Sequence, residues 1–283
     1  MKALTRMQAN PVAALTAVAL LLAACGPTGP KPPAPGTPAF NWNAAENAYK
    51  TGDFVKANDL LAGLSESDNE YTARARPWSL VMSFALIGSY MELAEKLDAG
   101  AARNRANPAV FRRQSAEYKA LAKAAVLRYI EQANRFIAAN QDKEVTLAFA
   151  PPEASFDDPP QYDKITIGQM IPDAELAGVE KEVIRREILR GAARALNLPE
   201  DKEKVMAAFA GGEAKAPGPR FLLSMAQNLH DVGEMLGPKG LDQPHRIELA
   251  YKVALAALEL VKDDKEATAL AKKIAAAQKK LKR

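Results

Sequence analysis

Two long segments that meet at Asn107-Pro108 constrain the fold more than any other feature of the chain. Neither the stretch from Pro77 to about Ala106 nor that from Pro108 to about Asn140 contains an internal proline. The second carries Phe111, Tyr118, Leu121, Ala125, Tyr129, Ala133 and Phe136 at steps of three, four and seven, the spacing of one helix face. Asn107 is a good N-cap and Pro108 suits the first helical position, where its missing N–H is not needed. Two helices of roughly 40–50 Å each are therefore predicted, at 1.5 Å per residue, folded into a hairpin. Most of the remaining chain has to be built against that hairpin, which sets the fold class as all-α.

Shorter helices flank it. "WNAAENAYKTGDFVKANDLLAGL" breaks at Gly52-Asp53 into two, with Ala45, Ala48 and Tyr49 on one face and Phe54, Ala57, Leu61 and Leu64 on the other. Small residues where the helices cross, with glycine at the turn, describe a tight antiparallel pair. Near the end, "RFLLSMAQNLHDVGEML" and "PHRIELAYKVALAALELVKDD" form a second pair with Ala250, Ala254 and Ala257 inward. Aromatics make up only 6% of a chain that is 48% apolar, so alanine carries much of this packing.

The first pair resembles a tetratricopeptide repeat: Ala45, Tyr49, the Gly52-Asp53-Phe54 turn, Ala57 and Leu61 fall at the family's spacing. It departs from the pattern at Leu64, where the family prefers alanine, and in having no closing proline near Asn69. The second pair is a weaker echo, with "GPKGLDQ" as a longer turn. The resemblance implies stacked helix pairs whose concave side receives a protein or peptide. The long hairpin beside them also resembles the layout of the periplasmic lipoproteins associated with TRAP transporters, which implies a small-molecule-binding accessory component.

Between residues 143 and 173 the period changes. "EVTLAFA" and "YDKITIG" alternate as short strands would, around "PPEASFDDPPQ", so a small irregular or β-hairpin insertion is predicted there. A helix follows from Asp173 to about Asn197, with Leu176, Val179, Val183, Leu189 and Leu196 as its buried set. "AGGEAKAPGP" at 210–219 reads as a flexible connection.

The N-terminus addresses the chain. Lys2 and Arg6 precede a short apolar run from Val12 to Leu22, and Ala23-Ala24 lead into Cys25, the single cysteine. That is the layout of an export signal, too short for a spanning helix. "LAAC" resembles the lipobox of bacterial lipoproteins, which implies a signal peptide over 1–24 and acylation of the Cys25 thiol and amine, palmitate included. Several acyl chains make a durable membrane anchor. Gly26, in place of the aspartate that retains such lipoproteins in the inner membrane, implies an outer-membrane, periplasm-facing location. The segment 25–39 holds six prolines and is expected to be an extended tether, reaching ~40 Å at ~3.1 Å per residue. The helical domain is expected over 40–283. With one cysteine, packing rather than disulfides must hold it.

Motifs for chemistry are sparse. His230 and Glu234 share a helix face, with His245 as a third metal ligand across a loop, but a polar helix-face histidine is the plainer expectation. Glu153, Asp157, Asp158 and Asp163 lack the glycine and spacing of a calcium loop. No nucleophile elbow, P-loop or dinucleotide glycine motif occurs. No enzyme activity, catalytic residue, metal or cofactor is therefore expected. The net charge is +4, and +2 without Lys2 and Arg6, which leaves no nucleic-acid footprint. Lys272, Lys273, Lys279, Lys280, Lys282 and Arg283 form either a solvated last-helix face or a contact for anionic lipid.

The function expected is a lipid-anchored scaffold that binds an envelope protein or peptide, with Trp78, Phe84 and Tyr90 as aromatic anchors or, alternatively, as core. The alternative function is the small-molecule role, for which Arg185, Arg186, Arg190 and Arg194 would supply a carboxylate site if they face inward. The anchor is checked first: Cys25→Ser should abolish incorporation of radiolabelled palmitate, and equal labelling of the two chains would remove the lipoprotein reading.

Overall fold

The structure, a computed structural model, describes residues 32–139 and 144–281. The expected signal peptide, Cys25 and the first part of the expected tether lie outside the described residues. Among the described residues there are ten helices and two short strands, so the chain is all-α with a small two-stranded sheet. No described helix is long and apolar enough to cross a membrane.

Helix α1 (Pro38–Lys50) starts inside the expected tether because Thr37 caps it, its hydroxyl accepting from the Phe40 N–H at 3.3 Å. It folds back on α2 (Phe54–Ser65) across Gly52, whose φ of +78° is a left-handed turn that glycine adopts without strain. Ala45 and Ala57, both fully buried, lie on the facing helices, as the sequence requires.

The central hairpin consists of α3 (Thr72–Arg103) and α4 (Pro108–Ala139). α3 begins five residues before Pro77, which was expected to open it. The corner is fixed by Thr72, whose hydroxyl donates to the Ser67 carbonyl at 2.7 Å, and by Asn69, whose amide donates to the Leu64 carbonyl at 2.9 Å. Pro77 therefore falls in the second turn, where it costs one backbone hydrogen bond without stopping the helix.

α3 is buried on nearly every side from Trp78 to Leu97, because α2, α4 and later elements all pack on it. Where α2, α3 and α4 meet, the interior is polar. Asn58 donates to Ser83 at 3.0 Å, Ser83 bonds Gln132 at 2.9 Å, and Gln132 donates to Ser79 at 3.1 Å, which in turn donates to Asn58 at 3.1 Å. This closed ring satisfies each group and fixes the register of three helices.

The middle of the chain differs from expectation in two places. "EVTL" is a strand, β1 (Glu144–Leu147), but "YDKITIG" is not its partner. It forms α5 (Gln161–Thr166), which buries Tyr162 and Ile165 three residues apart and leaves Ile167 62% exposed. The alternation was coincidental with a helical spacing. β1 instead pairs antiparallel with β2 (Ala214–Pro217), in the stretch read as a flexible connection. Ala214 and Ala216 turn inward opposite Leu147 and Val145, too small to announce a strand in the sequence. Gly100 of α3 admits α5: a β-carbon there would lie 2.4 Å from the Ile165 carbonyl oxygen.

Helix α6 (Asp173–Ala195) packs across α3, ending at Asn197 in the left-handed conformation. α7 (Lys202–Ala208) is short. α8 (Gly218–Met235) and α9 (Pro244–Glu259) form the second pair, with Ala250, Ala254 and Ala257 fully buried, and α10 (Lys265–Leu281) lies against both. Helix pairs on a central hairpin are compatible with a helical-repeat architecture.

Because Ala57 has no exposed surface, a larger side chain there must move a helix, at a cost of ~1–3 kcal/mol. Ala57→Phe should lower the thermal midpoint, whereas Lys56→Ala, at an exposed neighbour, should leave it unchanged. Circular dichroism melts of the three proteins check this.

Candidate functional site

Three arginines at four-residue steps on α6, Arg186, Arg190 and Arg194, form one stripe along the helix. Their side chains are 1%, 29% and 40% exposed in that order, so the stripe runs from the core to an open cleft.

At the buried end, Arg186 donates to the Asp158 carboxylate at 2.7 Å, to the Glu92 carboxylate on α3, and to Glu187 at 3.4 Å. Burial alone would lower the pKa of this guanidinium. The hydrogen bond that Arg186 donates to Glu92 and the charges of Glu92 and Glu187 outweigh it, and the net shift is upward. Burial and the Glu92 charge together raise the nearby Tyr162 phenol. Lys96 lies 4.7 Å over the Tyr162 ring and 3.4 Å from Asp158. The loop carrying Asp158 is thus tied down by charge.

Arg190 stands at the transition. It donates to Glu187 at 2.7 Å and to the Phe156 carbonyl at 3.1 Å, and turns its Nε toward Glu200 at 3.4 Å. Arg194 donates to Asn228 at 2.5 Å, lies 3.3 Å from Asp231, and stacks 5.4 Å from the Phe84 ring centroid. Arg220 of α8 faces both from across the cleft, 2.9 Å from Glu266 and 3.6 Å from Asp264. The cleft between them is open to solvent and offers about 210 Å³, bordered by Ala193, Leu198 and Leu223, with Asn197, Ser224 and Gln227 as polar lining. Arg185 does not join the stripe; a guanidinium nitrogen of it lies near Gly52.

The aromatic residues singled out as anchors are elsewhere and inward. Trp78 is fully buried, edge-on to Tyr49, Phe149 and Phe209 at 6.0–6.4 Å. Phe84 packs on Tyr129 at 5.7 Å, and Tyr90 stacks on Tyr118 at 6.1 Å. Burial, then the charges of Glu180 and Asp59, push the Tyr90 phenol up to about 12. Tyr118 donates to Glu180 at 3.0 Å, and burial lifts the Glu180 carboxyl above its ordinary range. Trp78, Phe84 and Tyr90 are all buried core residues, which is the alternative the sequence offered for them.

His230 is buried against Tyr251, ring centroids 5.9 Å apart. Its Nδ1 lies 3.5 Å from Asp231 and its Nε2 3.7 Å from Glu234, so its two nitrogens serve different carboxylates. Asp231, not His245, completes this group; His245 is exposed at the start of α9. A metal would take only one of the two nitrogens, and Arg194 already faces Asp231, so the arrangement fits a hydrogen-bonded core histidine better than an ion site. Of the loop acids, Asp158 is committed to Arg186 and Lys96, and Asp157 to Ser155 at 2.6 Å. On α10, Lys272, Lys273, Lys279 and Lys280 are exposed while Ile274 turns inward.

Compared with protein-family models, curated proteins and solved structures, the chain shows no match. Arg220, Glu200 and Glu266 were not singled out from the sequence. Each is an ordinary surface residue in one dimension, and only the packing of α6, α8 and α10 brings them together.

Arg186→Met should destabilise the fold by about 3–5 kcal/mol in urea unfolding, because Glu92, largely out of water, is left without its cation, while Glu187 keeps only Arg190. Adding Glu92→Gln should recover part of the loss. A single variant that unfolds with the wild type would show that the network is dispensable.

Proposed function

We propose that the chain is a non-catalytic scaffold, lipid-anchored at Cys25 on the periplasmic face of the outer membrane, that binds an envelope protein or peptide through the α6–α8 cleft. The observation that carries this reading is the cleft itself, where three arginines from two helices border an apolar wall. Arginine presents a planar fork of donors suited to paired acceptor oxygens, and its charge does not vary with pH. A wall of leucine and alanine beside it suits an amphipathic segment rather than bulk anions.

The size of the cleft favours a second reading. About 210 Å³ holds one side chain or one small organic anion, which fits the small-molecule-binding accessory of a TRAP-type transporter. On either reading the second helix pair supplies one side of the cleft through α8 and does no chemistry.

Crosslinking in intact membranes followed by mass spectrometry, with wild type and Arg220→Gln side by side, tests the leading reading. An envelope protein recovered with the wild type and lost with Arg220→Gln is the expected result. Equal recovery with both chains would remove the cleft from partner binding.

A further inference from the structure

We propose that the cleft is a carboxylate-binding site and that Glu200 and Glu266 are its resident competitors, side chains that occupy the positions a ligand's carboxylates take. The proposal rests on the binding reading above and names the ligand chemistry.

Each arginine of the cleft is held in place by something other than these two acids. Arg190 keeps Glu187 and the Phe156 carbonyl, and Arg194 keeps Asn228 and the Phe84 ring. Arg220 retains Asp264 at 3.6 Å when Glu266 leaves. The guanidinium groups are therefore preorganised whether or not the rim carboxylates are present. The rim acids are the more solvated member of each pair: Glu200 and Glu266 side chains are 57% and 70% exposed, against 29% and 37% for Arg190 and Arg220. Exposed pairs of this kind contribute little to stability, so they exchange readily for another carboxylate. The two acids approach the cleft from different elements, Glu200 from the α6–α7 turn and Glu266 from the first turn of α10. A ligand with two carboxylates, or an acidic peptide, replaces both at once.

The experiment is fluorescence anisotropy of labelled hexaglutamate with the full chain in neutral detergent, with hexaglutamine as control and free glutarate as competitor. Glu200→Gln with Glu266→Gln should bind hexaglutamate about tenfold more tightly than wild type, the equivalent of about one charge-assisted hydrogen bond no longer contested. Adding Arg220→Gln should reverse that gain. Equal or weaker binding by the double variant, or equal binding of hexaglutamine, overturns the proposal. Competition by millimolar glutarate identifies a free dicarboxylate as sufficient, and resistance to it identifies an extended acidic peptide; both support the site. If neither carboxylate binds any variant while crosslinked partner recovery still depends on Arg220, the ligand chemistry is wrong and the scaffold reading stands. If carboxylates bind but no envelope protein is recovered, the scaffold reading fails and the carboxylate site stands.

Discussion

A guanidinium taken almost wholly out of water, that of Arg186, has to find compensating charge within the protein, since desolvating an ion costs several kcal/mol. Its partners come from three places: Glu92 on the central helix, Asp158 on the loop before α5, and Glu187 on its own helix. All three must be in position together, so the pairing of α6 with α3 and the path of the loop are settled as one event. That loop is also held by Arg190 at the Phe156 carbonyl and by Tyr49, whose hydroxyl donates to the Ala150 carbonyl at 2.9 Å. Phe149 adds a ring to the cluster of Trp42, Tyr49 and Trp78. The proline-rich segment is thus a strap across the bundle, fastened by charge at one end and by aromatic packing at the other.

Much of the helical framework was legible in the sequence because helices are local. The Gly52 turn, the Asn107-Pro108 break, the alanine face of α9 and the end of α6 near Asn197 all follow from neighbours within a few residues. The errors came where the deciding partner was distant. Thr72 and Asn69 move the start of α3 upstream of Pro77 through bonds to the α2 corner. β2 exists because β1, about seventy residues earlier, offers it an edge. "YDKITIG" satisfied both periods, and only the surface that receives Tyr162 and Ile165 decides between them.

The same distinction explains the site. Aromatic residues on the long hairpin had two possible fates, partner surface or core, and a helix surrounded by other elements leaves only the second. The arginines had two fates as well, but a helix that passes under the strap at Arg186 and reaches the surface at Arg194 gives both to one stripe. Arg186 finds Glu92 94 positions away, and Arg194 finds Asp231 37 positions away. No periodicity in one segment carries that information.

Along the stripe, the structural role of Arg186 and the binding role proposed for the outer arginines separate by exposure alone. Where water is excluded, an arginine without its carboxylates is costly, and each guanidinium nitrogen of Arg186 is engaged by the protein. Where water enters, a carboxylate partner contributes little, and the same side chain is left with capacity to spare. Arg190 spans the two regimes, with one side of its fork on Glu187 and Phe156 and its Nε toward the rim. The far rim belongs to α10, which buries Ala267 and Ile274 but few other residues. A helix with so little buried apolar surface sits at the low end of local stability. The cleft therefore joins a wall fixed by a buried charge network to a rim held mainly by exposed pairs, and the adjustment that the proposed ligand would require falls to the rim.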